Sequence, residues 1–350
     1  MRRWLQGPPF TGQVDHLERD ACYQNRLARL QQAMGPDALT RAAEICRQAL
    51  KTSPGDWILH EDSARILEET GDLVEAARQW QWVIESLPHY LEPRLRLAAI
   101  ADRIGQSEEA EALYRRALDA DPDTVEGVQA HNGLGLALAH QGKHRAAVRE
   151  FTAALKSQPE LAEAHINLGL SWYALGDVAR AITEQEQALR IHPTSVPAHI
   201  NLGRMFLAQN RLAEAARHFE DAVKLAPTDA VTHFNLANAL AAQGNQPDAL
   251  THYAEAVRLR PDAPEARLNY GIALAQSRRL TDAAREFGEA IRIEPEDPEP
   301  RLRLARVLTD QGRVDEAVRN LREALRLDPA NREAAVALTN LLQPRPAGRN

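Results

Sequence analysis

Prolines recur along the chain at Pro54, Pro88, Pro122, Pro159, Pro193, Pro227, Pro261, Pro295 and Pro329, 34 residues apart except for one step of 37 between Pro122 and Pro159. Twelve residues before each stands an alanine (Ala42, Ala76, Ala110, Ala147, Ala181, Ala215, Ala249, Ala283, Ala317), and five before each another, with Val83 the exception. A unit this short cannot bury a core alone and must stack on its neighbours, so a fixed period of this length specifies a repeat array. The expectation is one elongated solenoid with a continuous core. The 350 residues would otherwise suggest two ordinary domains.

Residues 162 to 195 show how one unit is built. Leu168, Gly169 and Trp172 mark one face of a first helix, and Gly176-Asp177 signals the turn that ends it. A second helix is expected from about Val178 to Ile191, with Ala181 and Ala188 on one face, where small side chains let two helices approach closely. Pro193 stops it, because its ring clashes with the preceding turn and it donates no backbone hydrogen bond. The unit is a helical hairpin.

This pattern resembles the tetratricopeptide repeat (TPR) family, whose signature is a Leu-Gly pair among bulky residues in the first helix, then alanine, aromatic, alanine and proline in the second. Leu202-Gly203, Phe206, Ala215, Phe219, Ala222 and Pro227 match it, as do Gly244, Ala249, Tyr253, Ala256 and Pro261. The resemblance spans nine repeats, at 23–56, 57–90, 91–124, 128–161, 162–195, 196–229, 230–263, 264–297 and 298–331. It implies an all-α fold, a right-handed α-solenoid or superhelix of stacked TPR hairpins, with first helices lining the concave side. The first repeat lacks the Leu-Gly pair and carries Gly35-Pro36 at its inter-helix turn, so only its second helix is expected. Val125-Glu126-Gly127 is read as a longer inter-repeat turn, residues 332–342 as a capping helix and 343–350 as a flexible tail. Residues 1–22 have no repeat character; with Trp4, Phe10 and Asp15-x-x-Glu18 they read as a cap on the first repeat or as the seam after a further domain.

Composition narrows the partners. A formal net charge of -7 argues against a general nucleic-acid binder. No stretch approaches a membrane span, and no apolar core follows Met1-Arg2-Arg3 as a signal peptide would require. Cys22 and Cys46 are too few for a disulfide framework and read as small core residues. Lysine supplies four of the 42 basic residues, which reads as GC-rich, bacterial coding. A cytoplasmic chain is the expectation.

Within residues 162 to 195, Glu163, Ile166, Asn167, Leu170, Tyr173 and Ala174 share a face distinct from the packing face. By the resemblance this face lines the groove. Later repeats continue it with Ile200, Asn201 and Arg204, then Phe234, Asn235 and Asn238, then Leu268, Asn269 and Ile272, then Arg303 and Arg306. Asn167, Asn201, Asn235 and Asn269 recur at 34-residue steps. A carboxamide offers a donor and an acceptor together, which suits the alternating groups of an extended peptide backbone. The array is similar to the asparagine ladder of O-GlcNAc transferases, which grips polypeptides; the alternative is that each amide bonds a neighbouring repeat. Asn238, Asn269 and Arg303 also match three positions of the clamp by which some TPR domains capture a terminal carboxylate. Phe234 and Glu299 stand where that clamp needs lysines, so charge-assisted capture is disfavoured. Glu61, Asp62, Glu68, Glu69 and Asp102 make the N-terminal end of the face acidic, and Arg303 and Arg306 make its C-terminal end basic. That gradient orients a bound peptide, or is simply a solvated surface.

His131, His165, His199 and His233 recur at the repeat period, with His60 in the same register. Equivalent residues of stacked helices lie roughly 10 Å apart, too far to share an ion held at about 2 Å, so the column reads as packing and no metal site or cofactor is expected. No catalytic constellation stands out. The chain reads as a non-enzymatic protein-interaction scaffold that binds an extended peptide or partner helix, with self-association as a further possibility. The alternative is a substrate-recruiting C-terminal module of a larger or partner enzyme of glycosyltransferase or hydrolase type.

Overall fold

A computed structural model describes residues 38–119 and 124–343, and among these every regular element is an α-helix. Residues 1–22, Cys22, Gly35-Pro36, Pro122 and nearly all of the expected tail lie outside the described residues. The chain opens with α1 (Ala38–Thr52), the expected second helix of the first repeat. Hairpins follow: α2 (Trp57–Thr70) with α3 (Leu73–Ser86), α4 (Leu91–Arg103) with α5 (Ser107–Leu118), and α6 (Val125–His140) with α7 (His144–Ser157). Then come α8 (Ala162–Ala174) with α9 (Val178–Ile191), α10 (Val196–Ala208) with α11 (Leu212–Leu225), and α12 (Ala230–Ala242) with α13 (Gln246–Leu259). The series closes with α14 (Pro264–Gln276), α15 (Leu280–Ile293), α16 (Glu299–Asp310), α17 (Val314–Leu327) and the final helix α18 (Arg332–Leu342). The expectation of an all-α helical-repeat solenoid holds.

The chain divides into two units, one ending at Ala181 and one beginning at Ile182. In the first, α1 to α8 pack in chain order, and the first helices α4, α6 and α8 also touch one another in sequence. The second repeats the scheme, with α10, α12, α14, α16 and α18 forming the row of first helices. Each core lies along the seam between first and second helices. Trp80, Phe151, Phe219 and Phe287, all from second helices, are fully buried there.

The signature residues have separate physical tasks. Glycine in the first helix makes room for the second-helix aromatic: a Cβ on Gly203 would stand 2.5 Å from the Phe219 ring, and one on Gly271 2.6 Å from Phe287. The turn inside each hairpin needs one left-handed residue, supplied by Gly71, Gly105, Gly142, Gly176, Gly244 and Gly312. Asn210 and Arg278 take the same conformation at φ of 57° and 61°, where a side chain is unfavourable. Asp56, Asp72, Ser195, Asp229 and Asn331 cap helix N-termini by accepting from exposed backbone N–H groups.

The histidine column does more than pack. The Nε2 of His60, His165, His199 and His233 lies 3.0 to 3.3 Å from the carbonyl oxygen of the proline six residues earlier. Arginine does the same in other repeats, with Arg94, Arg267 and Arg301 donating to Pro88, Pro261 and Pro295. A carbonyl stranded at the end of one hairpin is thus bonded by the first helix of the next. The Pro122-to-Pro159 insertion differs from expectation: Val125, Glu126 and Gly127 lengthen α6 at its N-terminus, capped by Thr124, in place of a longer turn. They carry no turn-forming pair, and a capped helix satisfies their N–H groups.

Candidate functional site

The residues expected to line the groove lie on the first helices, and none of them is buried. In the first unit, Ile166 and Asn167 are half-buried on α8 while Leu170 and Tyr173 are 41% and 38% exposed. In the second, Ile200, Phe234, Leu268 and Ile272 are half-buried, and Arg204 and Arg306 are exposed.

The carboxamides are not a uniform ladder. Asn201 Nδ2 lies 3.5 Å from Gln185 Oε1, a long contact to its own unit. Asn235 turns its Nδ2 back to the carbonyl of Val231 at 2.9 Å, within α12. Asn238 Oδ1 accepts from Tyr253 Oη at 2.6 Å and from Asn269 Nδ2 at 3.2 Å. Burial raises the Tyr253 hydroxyl to about 12, which keeps it a donor. Asn238 and Asn269 are therefore occupied by each other, and Arg303 donates to Glu299 at 2.7 Å with Glu333 also near. The Asn269 donor and Arg303 are thus engaged within the chain, which further weakens terminal-carboxylate capture.

The expected acidic N-terminal end is also corrected. Glu61, Asp62 and Asp102 are 6%, 5% and 9% exposed, so they are not a solvated acidic surface. Arg65 Nη2 bridges Glu61 and Glu92 at 2.9 Å each, and the Tyr90 hydroxyl lies 2.7 Å from Glu92. Burial pushes the Glu61 carboxyl up and outweighs the opposing pull of Arg65. Burial likewise raises Glu68, whose Oε1 accepts from the Trp80 indole. The sequence pattern missed this because it counted charges without their mates: Arg65 and Glu92 occupy the same face in successive first helices.

At the other end, α16 and α18 flank a cleft of about 580 Å³. Leu302, Arg306 and Thr309 on α16 and Val336 and Asn340 on α18 line it, and all stand in the register of Ile166, Leu170 and Tyr173. Leu302, Ala305 and Leu321 make its apolar part, while Arg306, Asp310, Arg332 and Glu333 add charges of both signs to its lining. Val336 is 60% exposed there. Sequence reading treated α18 only as a capping helix and so missed Val336.

Comparisons with known proteins agree with this architecture. Tetratricopeptide repeat family models match residues 95–148, 141–196 and 234–298, a second such model matches 274–341, and a TPR repeat model matches 203–244. The chain belongs to the tetratricopeptide repeat family, a family of protein-interaction scaffolds. No curated protein matches it by sequence. Among solved structures it is similar to the APC/C hetero-tetramer Cut9-Hcn1, with a TM-score of 0.57, 18% identity, and coverage of 88% of this chain and 60% of that one. It is also similar to pilF of Pseudomonas aeruginosa, with a TM-score of 0.55, 20% identity, and coverage of 61% and 97%. Identities this low establish the shared fold alone.

Proposed function

We propose that the second unit binds an extended peptide or a partner helix along its row of first helices, with an apolar side chain seated in the cleft between α16 and α18. The observation that carries this is register. The cleft is built from the repeat positions that also present Ile200, Phe234 and Leu268, so one apolar strip runs over consecutive first helices to an apolar depression. The lining carries Arg306 and Arg332 alongside Asp310 and Glu333, so seating of the apolar side chain rather than net charge selects the ligand. Asn201 and Asn235 keep their carbonyl oxygens available on the same row, where they can accept from a peptide backbone.

The test is a displayed peptide library selected against the whole chain, followed by affinities of the selected peptides for Val336→Asp and Arg306→Glu. A charge in the apolar cleft is expected to weaken binding more than tenfold, and the Arg306 reversal, which leaves the lining net negative, to shift preference toward basic flanks. Selected peptides that bind both variants as tightly as the wild type would remove this reading.

A further inference from the structure

In most repeats the column residue of the first helix meets a partner 19 positions later on the second. His131 faces Glu150 at 2.8 Å, and Arg267 pairs with Glu286 at 2.7 Å. Two consecutive repeats of the second unit break this pattern by pairing histidine with histidine. His199 Nδ1 lies 3.2 Å from His218 Nδ1, and His233 Nδ1 lies 3.0 Å from His252 Nδ1.

The proline carbonyls settle how these rings are arranged. His199 Nε2 faces the Pro193 carbonyl and His233 Nε2 the Pro227 carbonyl, and a carbonyl can only accept, so both Nε2 atoms carry the proton. Each Nδ1 then turns its lone pair toward the partner ring. Donation of the remote ring N–H to a backbone carbonyl is the arrangement that orients metal-ligating histidines. Two nitrogens at about 2.0–2.1 Å from one tetrahedral ion stand about 3.3 Å apart, close to the separations found here.

We propose that His199 with His218, and His233 with His252, form two chelating sites for a divalent transition ion such as Zn2+ or Ni2+, each stapling a first helix to its second helix. Among the described residues no three His, Cys, Asp or Glu side chains converge on one point, so water completes each shell. Imidazole nitrogen suits these ions better than Mg2+ or Ca2+. On binding, His218 and His252 move their proton from Nδ1 to Nε2 and remain neutral, so no net proton is released.

Calorimetric titration of the full chain with Zn2+ and Ni2+ at neutral pH tests this, alongside His218→Gln, His252→Gln and the double variant. Glutamine keeps an amide donor toward His199 or His233 and has no useful metal affinity, so the fold is retained, as circular dichroism will verify. The wild type is expected to bind two equivalents more than the double variant, and each single variant to lose one. Electron paramagnetic resonance of the Cu2+ form should show two coupled nitrogens per tight site. Equal uptake by wild type and double variant overturns the proposal.

Discussion

The first-helix face is used in opposite ways near the two ends of the described chain. On α2 and α4 it holds a buried ionic cluster in which one guanidinium serves Glu61 and Glu92 and a phenol adds a further bond. On α10, α12 and α14 the matching positions carry half-buried Ile200, Phe234 and Leu268 with Asn201, Asn235 and Asn269 beside them. Identical backbone scaffolding therefore supports either a closed, mutually satisfied polar patch or an open apolar strip. Register decides where a side chain points, while its neighbours in adjacent repeats decide whether it is spent on folding or left for a ligand.

The sharpest way to break this contrast is Arg65→Ala, which leaves two buried carboxylates without their shared cation. A loss of about 3–5 kcal/mol in chemical denaturation is expected; a loss under 1 kcal/mol would mean that the cluster is solvated and the contrast false. Gly203→Ala drives a methyl into the Phe219 ring and is expected to cost about 1–3 kcal/mol, showing that the packing side of α10 tolerates nothing. Asn235→Ala, on the opposite side of the next first helix, should stay within about 0.5 kcal/mol of the wild type while weakening any selected peptide.

Acid should separate the units by sign. Glu61 and Glu68 are raised above 4.5, so their contribution is complete below 4.5 and is lost as pH rises through the folded values; the first unit gains on acidification. His218 and His252 are depressed below 6.5, so their contribution is present above 6.5 and is lost as pH falls through the folded values. Hydrogen exchange at pH 7.5 and 5.5, corrected for intrinsic rates, should show protection falling in α10 to α13 and not in α2 to α4. The reverse pattern would show that burial does not govern these groups.

Much of the fold was legible in the sequence, because the residues that punctuate it act locally. Pro193 ends a helix, Gly176 turns left-handed and Gly203 admits a ring wherever they stand. The site was legible only as a register. Counting from the prolines found the face of Ile200, Phe234 and Leu268, yet could not tell that Asn238 is held by Tyr253 and Asn269, or that Asp62 is covered. Those facts depend on side chains brought together from different helices. The histidine column illustrates both limits: comparison down the column excluded a shared ion, while the pairing across it, His199 with His218, lay at a separation of 19 that the repeat period does not reveal.

The hydrogen bonds that His60, Arg94, His165, His199, His233, Arg267 and Arg301 make to the carbonyl of the proline six residues earlier also say where such an array can be cut. A segment cut just after one proline and just after the next keeps 34 residues but severs a bond at each end, because the donor lies six residues beyond its acceptor. Gene duplication or engineered shortening that joins any two copies in register restores the bond automatically, since His and Arg both reach the carbonyl. Arrays of this kind can therefore change length by whole units without redesigning a junction.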